Sequence, residues 1–153
     1  MKRKLYIAYG SNLSVEQMAV RCPDAEIMGK AVLKDWTLRF KVHADIEPCE
    51  GSAVPVLIWE ISEADERHLD FYEGWPSYYI KKDIEVEMTD LDGRHPRNVT
   101  AMAYVMTGGH GLRIPMRTYY EVLDEGYERF GFDKGILKQA LKEAEEGHGY
   151  EFS

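Results

Sequence analysis

The sequence predicts a single α+β domain built on a mostly antiparallel sheet. Three observations carry this expectation. Five or six apolar runs have the alternation or length of strands, helix caps fall between several of them, and their connections are of hairpin length. No internal repeat, low-complexity tract or linker divides the 153 residues. One domain over residues 1–153 is therefore expected, large enough to bury about 70% of its unfolded surface around one core.

The first strand lies in Tyr6-Ile7-Ala8-Tyr9, where apolar alternation breaks at the turn Gly10-Ser11-Asn12-Leu13. Ser14-Val15-Glu16-Gln17 reads as a capping box, with Ser14 as N-cap and Gln17 reaching back. It opens a short helix over residues 14–22, on which Met18 and Cys22 share an inner face. Pro23 and Asp24 end that helix. Residues 26–43 alternate around Gly29 as one long or two short strands, and Pro48 and Gly51 mark residues 45–52 as a loop.

Ala53 to Ile61 reads as a buried strand, with Pro55 placing a bulge or an edge near its start. Ser62-Glu63-Ala64-Asp65 caps a second helix running to about Tyr72. Gly74 and Pro76 stop it, leaving Glu73 at its end. Tyr79 to Met88 is a strand, Asp90 to Arg94 a turn, and Val99 to Met106 the returning partner. A Gly-rich loop over 107–114 precedes Pro115, a first-turn residue for a helix to about 130. Asp133 caps a last helix to about Glu146, and Gly147-His148-Gly149 begins an exposed tail. Periodicity alone does not show whether the sheet closes.

Composition excludes several classes of function. Nineteen basic against 27 acidic residues give a formal charge of −8, and no Lys/Arg stripe appears, so neither nucleic acid nor membrane is an expected partner. There is no apolar run of membrane-spanning length and no signal-peptide core at the N-terminus, which predicts a cytoplasmic protein. The sequon Asn98-Val99-Thr100 is then a coincidence of spacing. Cys22 and Cys49 read as reduced structural thiols, too few for a disulfide scaffold and too isolated for zinc. The five histidines show no i, i+4 pair and no partner at metal spacing, so no metal site is expected. Thr107-Gly108-Gly109-His110-Gly111 lacks the Lys-Ser/Thr end of a P-loop, and Ser11 lacks a nucleophile elbow. No cofactor is expected, and the sequence does not set the oligomeric state.

Two places carry candidate chemistry. The turn after the first strand exposes backbone N–H groups beside a helix N-terminus, a seat for a carboxylate or a developing oxyanion. Gly10 would let a ligand approach the main chain, and Ser11 and Asn12 could add side-chain hydrogen bonds. These residues alone fit an ordinary strand-to-helix turn equally well. Glu73 stands at a helix C-terminus among Phe71, Tyr72, Trp75, Tyr78 and Tyr79. The helix dipole and the aromatic walls would both raise its pKa, as suits a group that accepts and returns a proton. Alone, it also reads as a solvated glutamate at a fraying helix end.

Tyr9-Gly10-Ser11-Asn12-Leu13 resembles the signature of the gamma-glutamylcyclotransferase-like family. Arg21-Cys22-Pro23-Asp24-Ala25, with Gly29, Ala31, Leu33, Trp36, Leu38 and Phe40, follows the family's pattern after its first helix. Leu69-Asp70-Phe71-Tyr72-Glu73-Gly74-Trp75-Pro76-Ser77-Tyr78-Tyr79 looks like the segment bearing its catalytic glutamate. The resemblance spans roughly residues 4 to 120. It implies a small mixed, mostly antiparallel β-barrel with peripheral helices. It also implies release of 5-oxoproline from a small γ-glutamyl compound without a cofactor, with Glu73 as base and then acid. Substrate would be bound by Tyr9, Gly10, Ser11, Asn12 and Leu13, with Tyr79 and Tyr119 as pocket hydroxyls. Tyr78 competes for the Tyr79 role, because a register error of one would exchange them. A non-catalytic binding domain with the same pocket, or an amidase using Glu73 to activate water, remains open on the residues alone.

Overall fold

The computed structural model describes residues 2–150, with side chains through Gly147. In chain order it contains β1 (Arg3–Ala8), a single 3-10 turn (Ser11–Leu13), α1 (Val15–Arg21), β2 (Glu26–Lys41) and β3 (His43–Ser62). These are followed by α2 (Glu63–Glu73), β4 (Tyr79–Thr89), β5 (Arg97–Met106), α3 (Arg117–Phe130) and α4 (Lys134–Tyr150). The strands close into a barrel in the order β1-β3-β2-β4-β5. Every neighbouring pair is antiparallel except β1 with β5, which run parallel at Tyr6↔Met102. The predicted α+β class and mixed barrel with peripheral helices therefore describe the molecule.

Leu33, Phe40, Ile46, Leu57, Ile58 and Ile61 of the strands are all at most 1% exposed, and because adjacent Leu57 and Ile58 point to opposite faces, the sheet is covered on both sides. Helices seal the outside. Leu13 on the 3-10 turn and Leu123 and Tyr127 of α3 are fully buried, and α4 lies against β2. The α3–turn contact depends on Gly126, where a Cβ would stand 2.8 Å from the Leu13 Cβ. None of the described helices is long and apolar enough to cross a membrane.

Three boundaries differ from the sequence reading. Residues 45–52 are not a loop: β2 and β3 form one long hairpin whose register runs from Lys41↔His43 through Trp36↔Pro48 to Glu26↔Glu60. Its turn is at Val42, with φ +69°, a position that nothing in Lys41-Val42-His43 advertises. Pro48 and Gly51 fall instead near a bulge, where Asp35 and Gly51 both have positive φ and the Gly51 N–H donates to Asp35 Oδ1. Gly147 belongs to α4 rather than to a tail, packed so closely that an added Cβ would lie 2.8 Å from Leu112 Cδ1. The side chain of His148 lies outside the described residues. Pro115 precedes the helix, because Met116 is extended at ψ +145° and serves as its N-cap.

Other local expectations match. Ser62 and Asp65 form a complete capping box, and Gly74 ends α2 in the left-handed conformation. Pro55 pairs with Val32 on β2 and lies two residues before Leu57, the last β3 position that β1 covers, so it sits where β3 has a strand on one side only. Cys22 and Cys49 are unpaired. Burial first, then Asp65, pushes the Cys22 thiol up to about 12.

Candidate active site

The end of β1, the end of α2 and the start of α3 converge on one cavity of about 800 Å³, a volume suited to a small organic ligand. β1 delivers Tyr6 and Tyr9 and then the turn Gly10-Ser11-Asn12. α1 presents Gln17 and Arg21. α2 contributes Phe71, Tyr72 and Glu73, β4 begins with Tyr79, and α3 supplies Tyr119. Glu73 and the turn thus face one space, although more than sixty positions separate them in the chain.

Glu73 reaches the wall because α2 ends there: Gly74, at φ +64°, turns the chain away and leaves the last helical side chain at the cavity. Burial raises its carboxyl to about 7, and the nearby Arg21 only partly opposes this. The carboxyl has no hydrogen-bond partner among the described residues. The walls that dry it are only partly those expected. Tyr6, Tyr9, Tyr104 and Tyr119 line the cavity with Tyr72, Tyr78 and Tyr79, whereas Trp75 lies outside it with Lys81 Nζ 4.1 Å from its ring.

In the turn, the Leu13 N–H closes back on the Gly10 carbonyl at 3.0 Å. Those of Gly10, Ser11 and Asn12 make no backbone hydrogen bond among the described residues. The Ser11 N–H meets the Tyr119 hydroxyl, which leaves those of Gly10 and Asn12 as the main-chain donors available to a ligand. The Leu13 donor is consumed in this turn, and its side chain is buried against Gly126. Gly10 does permit close approach, since a Cβ there would stand 3.2 Å from the Tyr119 hydroxyl.

The side chains of Ser11 and Asn12 are also committed. Arg21 Nη1 donates to Ser11 Oγ (3.2 Å) and to Asn12 Oδ1 (2.8 Å), while Asn12 Nδ2 donates to the Tyr6 hydroxyl at 2.9 Å. The Trp59 indole N–H donates to the Asn12 carbonyl, fixing the turn from below. Tyr9 lines the cavity but donates its hydroxyl to the Tyr104 carbonyl at 2.6 Å.

Tyr79 is buried and donates to the Ala44 carbonyl at 2.9 Å, while Tyr119 accepts from the Ala44 N–H at 3.0 Å. Burial raises the Tyr119 hydroxyl to about 12, although the Ala44 and Ser11 N–H groups favour its ionised form. Tyr78 stands nearer the surface, half-buried, between the Tyr79 ring at 5.3 Å and the His110 ring at 4.6 Å.

Arg21, Gln17, His43 and Tyr6 were not singled out from the sequence. Arg21 and Gln17 lie four apart on α1, a spacing that puts them on one face. Gln17 does not complete a capping box: Ser14 Oγ accepts from the Gln17 backbone N–H, but Gln17 Oε1 is buried without a partner among the described residues. Among the described residues, no three His, Cys, Asp or Glu side chains are grouped as metal ligands.

Residues 6–127 match the family model described as gamma-glutamyl cyclotransferase, AIG2-like. The chain is 31% identical over 140 residues to a protein from Homo sapiens named gamma-glutamylcyclotransferase, covering 83% of this chain and 71% of that one. A counterpart of the same name from Bos taurus is 30% identical over the same span. Among solved structures, one titled gamma-glutamyl cyclotransferase superposes with a TM-score of 0.76 at 23% identity, covering 91% of this chain and 86% of that one. An uncharacterized protein from Homo sapiens superposes at 0.74 with 26% identity, covering 92% and 87%.

Proposed function

The chain belongs to the gamma-glutamyl cyclotransferase, AIG2-like family, and from that premise we propose that it converts a small γ-glutamyl compound into 5-oxoproline and a free amine or amino acid, with Glu73 moving the proton. The α-ammonium of the γ-glutamyl group gives a proton to the Glu73 carboxylate. The freed amine attacks its own γ-carbonyl, forming the ring C–N bond. The oxyanion rests against the N–H groups of Gly10 and Asn12, each such donor worth about 3 kcal/mol of barrier. Glu73 then returns the proton to the departing nitrogen as the original amide C–N bond breaks, and the ring nitrogen, cationic after its attack, passes its second proton to the released amine, which leaves as the ammonium.

Because nucleophile and carbonyl are tethered, effective molarity supplies much of the acceleration. The protein needs only to pass protons from the attacking to the departing nitrogen and hold one developing charge. Tyr79 and Tyr119 line the same cavity as Glu73, and the Tyr119 hydroxyl hydrogen is free to reach the substrate.

The observation that carries this reading is the pairing of Glu73, its carboxyl raised to about 7, with the turn across one cavity. A carboxyl with that affinity can accept and return a proton near neutral pH. The test is incubation with a panel of γ-glutamyl compounds, read by mass spectrometry. Release of 5-oxoproline, lost in a folded Glu73→Gln variant, is the expected result. Free glutamate would indicate an amidase, and binding without turnover a non-catalytic domain.

A further inference from the structure

The stretch of chain that carries Glu73 has little of its own to hold it. The carboxyl has no hydrogen-bond partner among the described residues. Leu69 is the last buried residue of α2, and from Asp70 to Ser77 no residue is fully buried. Phe71 is 86% exposed and Trp75 43%. A helix end with so few apolar contacts frays unless polar groups anchor it. Proton transfer tolerates little displacement of the group that performs it, so the anchor matters to the chemistry.

That anchor is Lys81 on β4. Its Nζ stands 2.9 Å from Asp70 Oδ1, 2.8 Å from Glu66 Oε2 and 4.1 Å from the centre of the Trp75 ring. Asp70 lies one helical turn before Glu73 and Trp75 just after it, so one ammonium grips the chain on both sides of the glutamate. The two grips are joined, since the Trp75 N–H donates to the Asp70 carbonyl at 2.9 Å. Asp70 Oδ1 also accepts from the Tyr104 hydroxyl at 2.6 Å, and Tyr104 is a wall of the cavity, edge-on to Tyr6. Lys81 itself is not on that wall. It lies in a separate groove with Lys4, Glu66 and Asp70, and none of the described residues lines both. At 22% exposure its side chain is screened less than a lysine in open solvent.

Resting on the cyclotransferase reading, we infer that Lys81 is a positioning residue for that reaction: from outside the cavity it fixes Asp70 and Trp75, and through them the turn of chain that presents Glu73. Substrate never meets it. Without Lys81, the end of α2 swings from the wall, and the carboxyl gains water and loses its place beside the reacting nitrogens. Lys4 supplies the control, because it shares Glu66 at 3.0 Å but touches neither Asp70 nor Trp75.

The experiment compares the native protein with Lys81→Met, Lys81→Arg, Lys4→Met and Trp75→Leu, each first checked for folding by circular dichroism. One reading is 5-oxoproline release from a γ-glutamyl amide. Lys81→Met should lower kcat about tenfold or more while KM stays within about twofold, since Glu73 acts on the proton and not on binding. Lys81→Arg should restore most of kcat, and Lys4→Met should stay near native. The other reading needs no substrate: the Glu73 carboxyl carbon is titrated by NMR, its signal identified by its absence in Glu73→Gln. In Lys81→Met the midpoint should fall from about 7 toward the ordinary 4.5 as water reaches the carboxyl. Loss of a positive charge alone would move it upward, so the direction separates positioning from electrostatics. Trp75→Leu loosens one grip without changing charge and should move the midpoint the same way by less; it decides the matter if Lys81→Met does not fold. An unmoved or raised midpoint overturns the inference. So does a kcat that Lys4→Met lowers equally or that Lys81→Arg fails to restore. Should the midpoint fall as expected while the native protein releases no 5-oxoproline, the positioning role of Lys81 stands and the proposed reaction fails.

Discussion

Tyr79 and Tyr119 hold opposite ends of one residue: the first donates to the Ala44 carbonyl, and the second accepts from the Ala44 N–H. Ala44 lies near the start of β3, far from the segment Leu57–Ser62 that β1 covers. The two hydroxyls therefore satisfy a strand edge that has no neighbouring strand there. The pocket wall and the barrel edge are the same structure.

Tyr119→Phe should cost about 1–3 kcal/mol, because it strands a buried N–H, and Tyr79→Phe about 1 kcal/mol, because a carbonyl tolerates the loss better. The double variant should be non-additive, since both bonds end on Ala44. Urea unfolding of the four proteins measures this; strict additivity would mean that the two contacts act independently.

Glu73 should give the reaction an acid limb. Turnover needs its carboxylate, so kcat/KM for a γ-glutamyl amide should rise with pH and level off above about 7. A limb displaced to the ordinary carboxylate range would mean that another group takes the proton.

The same group should make stability pH-dependent in the opposite sense to most carboxylates. Below its ordinary value of 4.5 the carboxyl is protonated in both folded and unfolded chains, and its burial is fully tolerated. Between 4.5 and about 7 the unfolded chain gives up the proton and the folded chain keeps it, so stability falls as pH rises. The full penalty is on the order of 3 kcal/mol at most, less where solvent reaches the carboxyl through the cavity mouth. Glu73→Gln should therefore match the native protein in acid and exceed it in denaturation midpoint at alkaline pH. An equal gain at every pH would point to packing instead.

How far the site was legible follows from the range of the interactions that build it. The Ser62–Asp65 box and the Gly74 stop are set by neighbours five residues or fewer apart, and both were read correctly. The family resemblance located Glu73 and the turn, and the structure brings them together. The β2–β3 turn escaped because Val42 adopts positive φ without glycine or asparagine, under the constraint of a long register on either side. Leu13 was assigned to the site because it belongs to the motif, yet its N–H closes the turn and its side chain packs on Gly126, a contact over a hundred positions away. Arg21 had a weak signal: it falls four residues after Gln17 on the same helix, but only the folded turn shows that Ser11 and Asn12 aim it.

Asn12 is the joint of that arrangement, and Asn12→Ala should reveal it. The side chain accepts from Arg21 and donates to the Tyr6 hydroxyl, while 3% exposed. Truncation leaves a buried hydroxyl and a guanidinium with fewer partners, at about 1–3 kcal/mol. Its main chain, held by Trp59, should keep the turn in place. KM should therefore rise more than kcat falls, as Arg21 loses its alignment. A large loss of kcat with unchanged KM would show that the side chain acts on the reacting atoms instead.

Barrel closure rests on a narrow seam. β2 meets β4 only at Lys30↔Thr89 and Ala31↔Met88, immediately after the register shift at Gly29. A Cβ at Gly29 would stand 2.1 Å from the Thr89 carbonyl oxygen, which is backbone and cannot rotate away. Gly29→Ala must therefore push β4 off β2 where the sheet closes, at about 1–3 kcal/mol or more. Displacing β4 also displaces Tyr79 at its far end, so the Ala44 contact should weaken. Denaturation should show the lost stability, and amide exchange should quicken at β2 and β4 near the seam while α3 and α4 keep their protection. Unchanged exchange at the seam would mean that the barrel tolerates the methyl group and that its closure does not depend on this glycine.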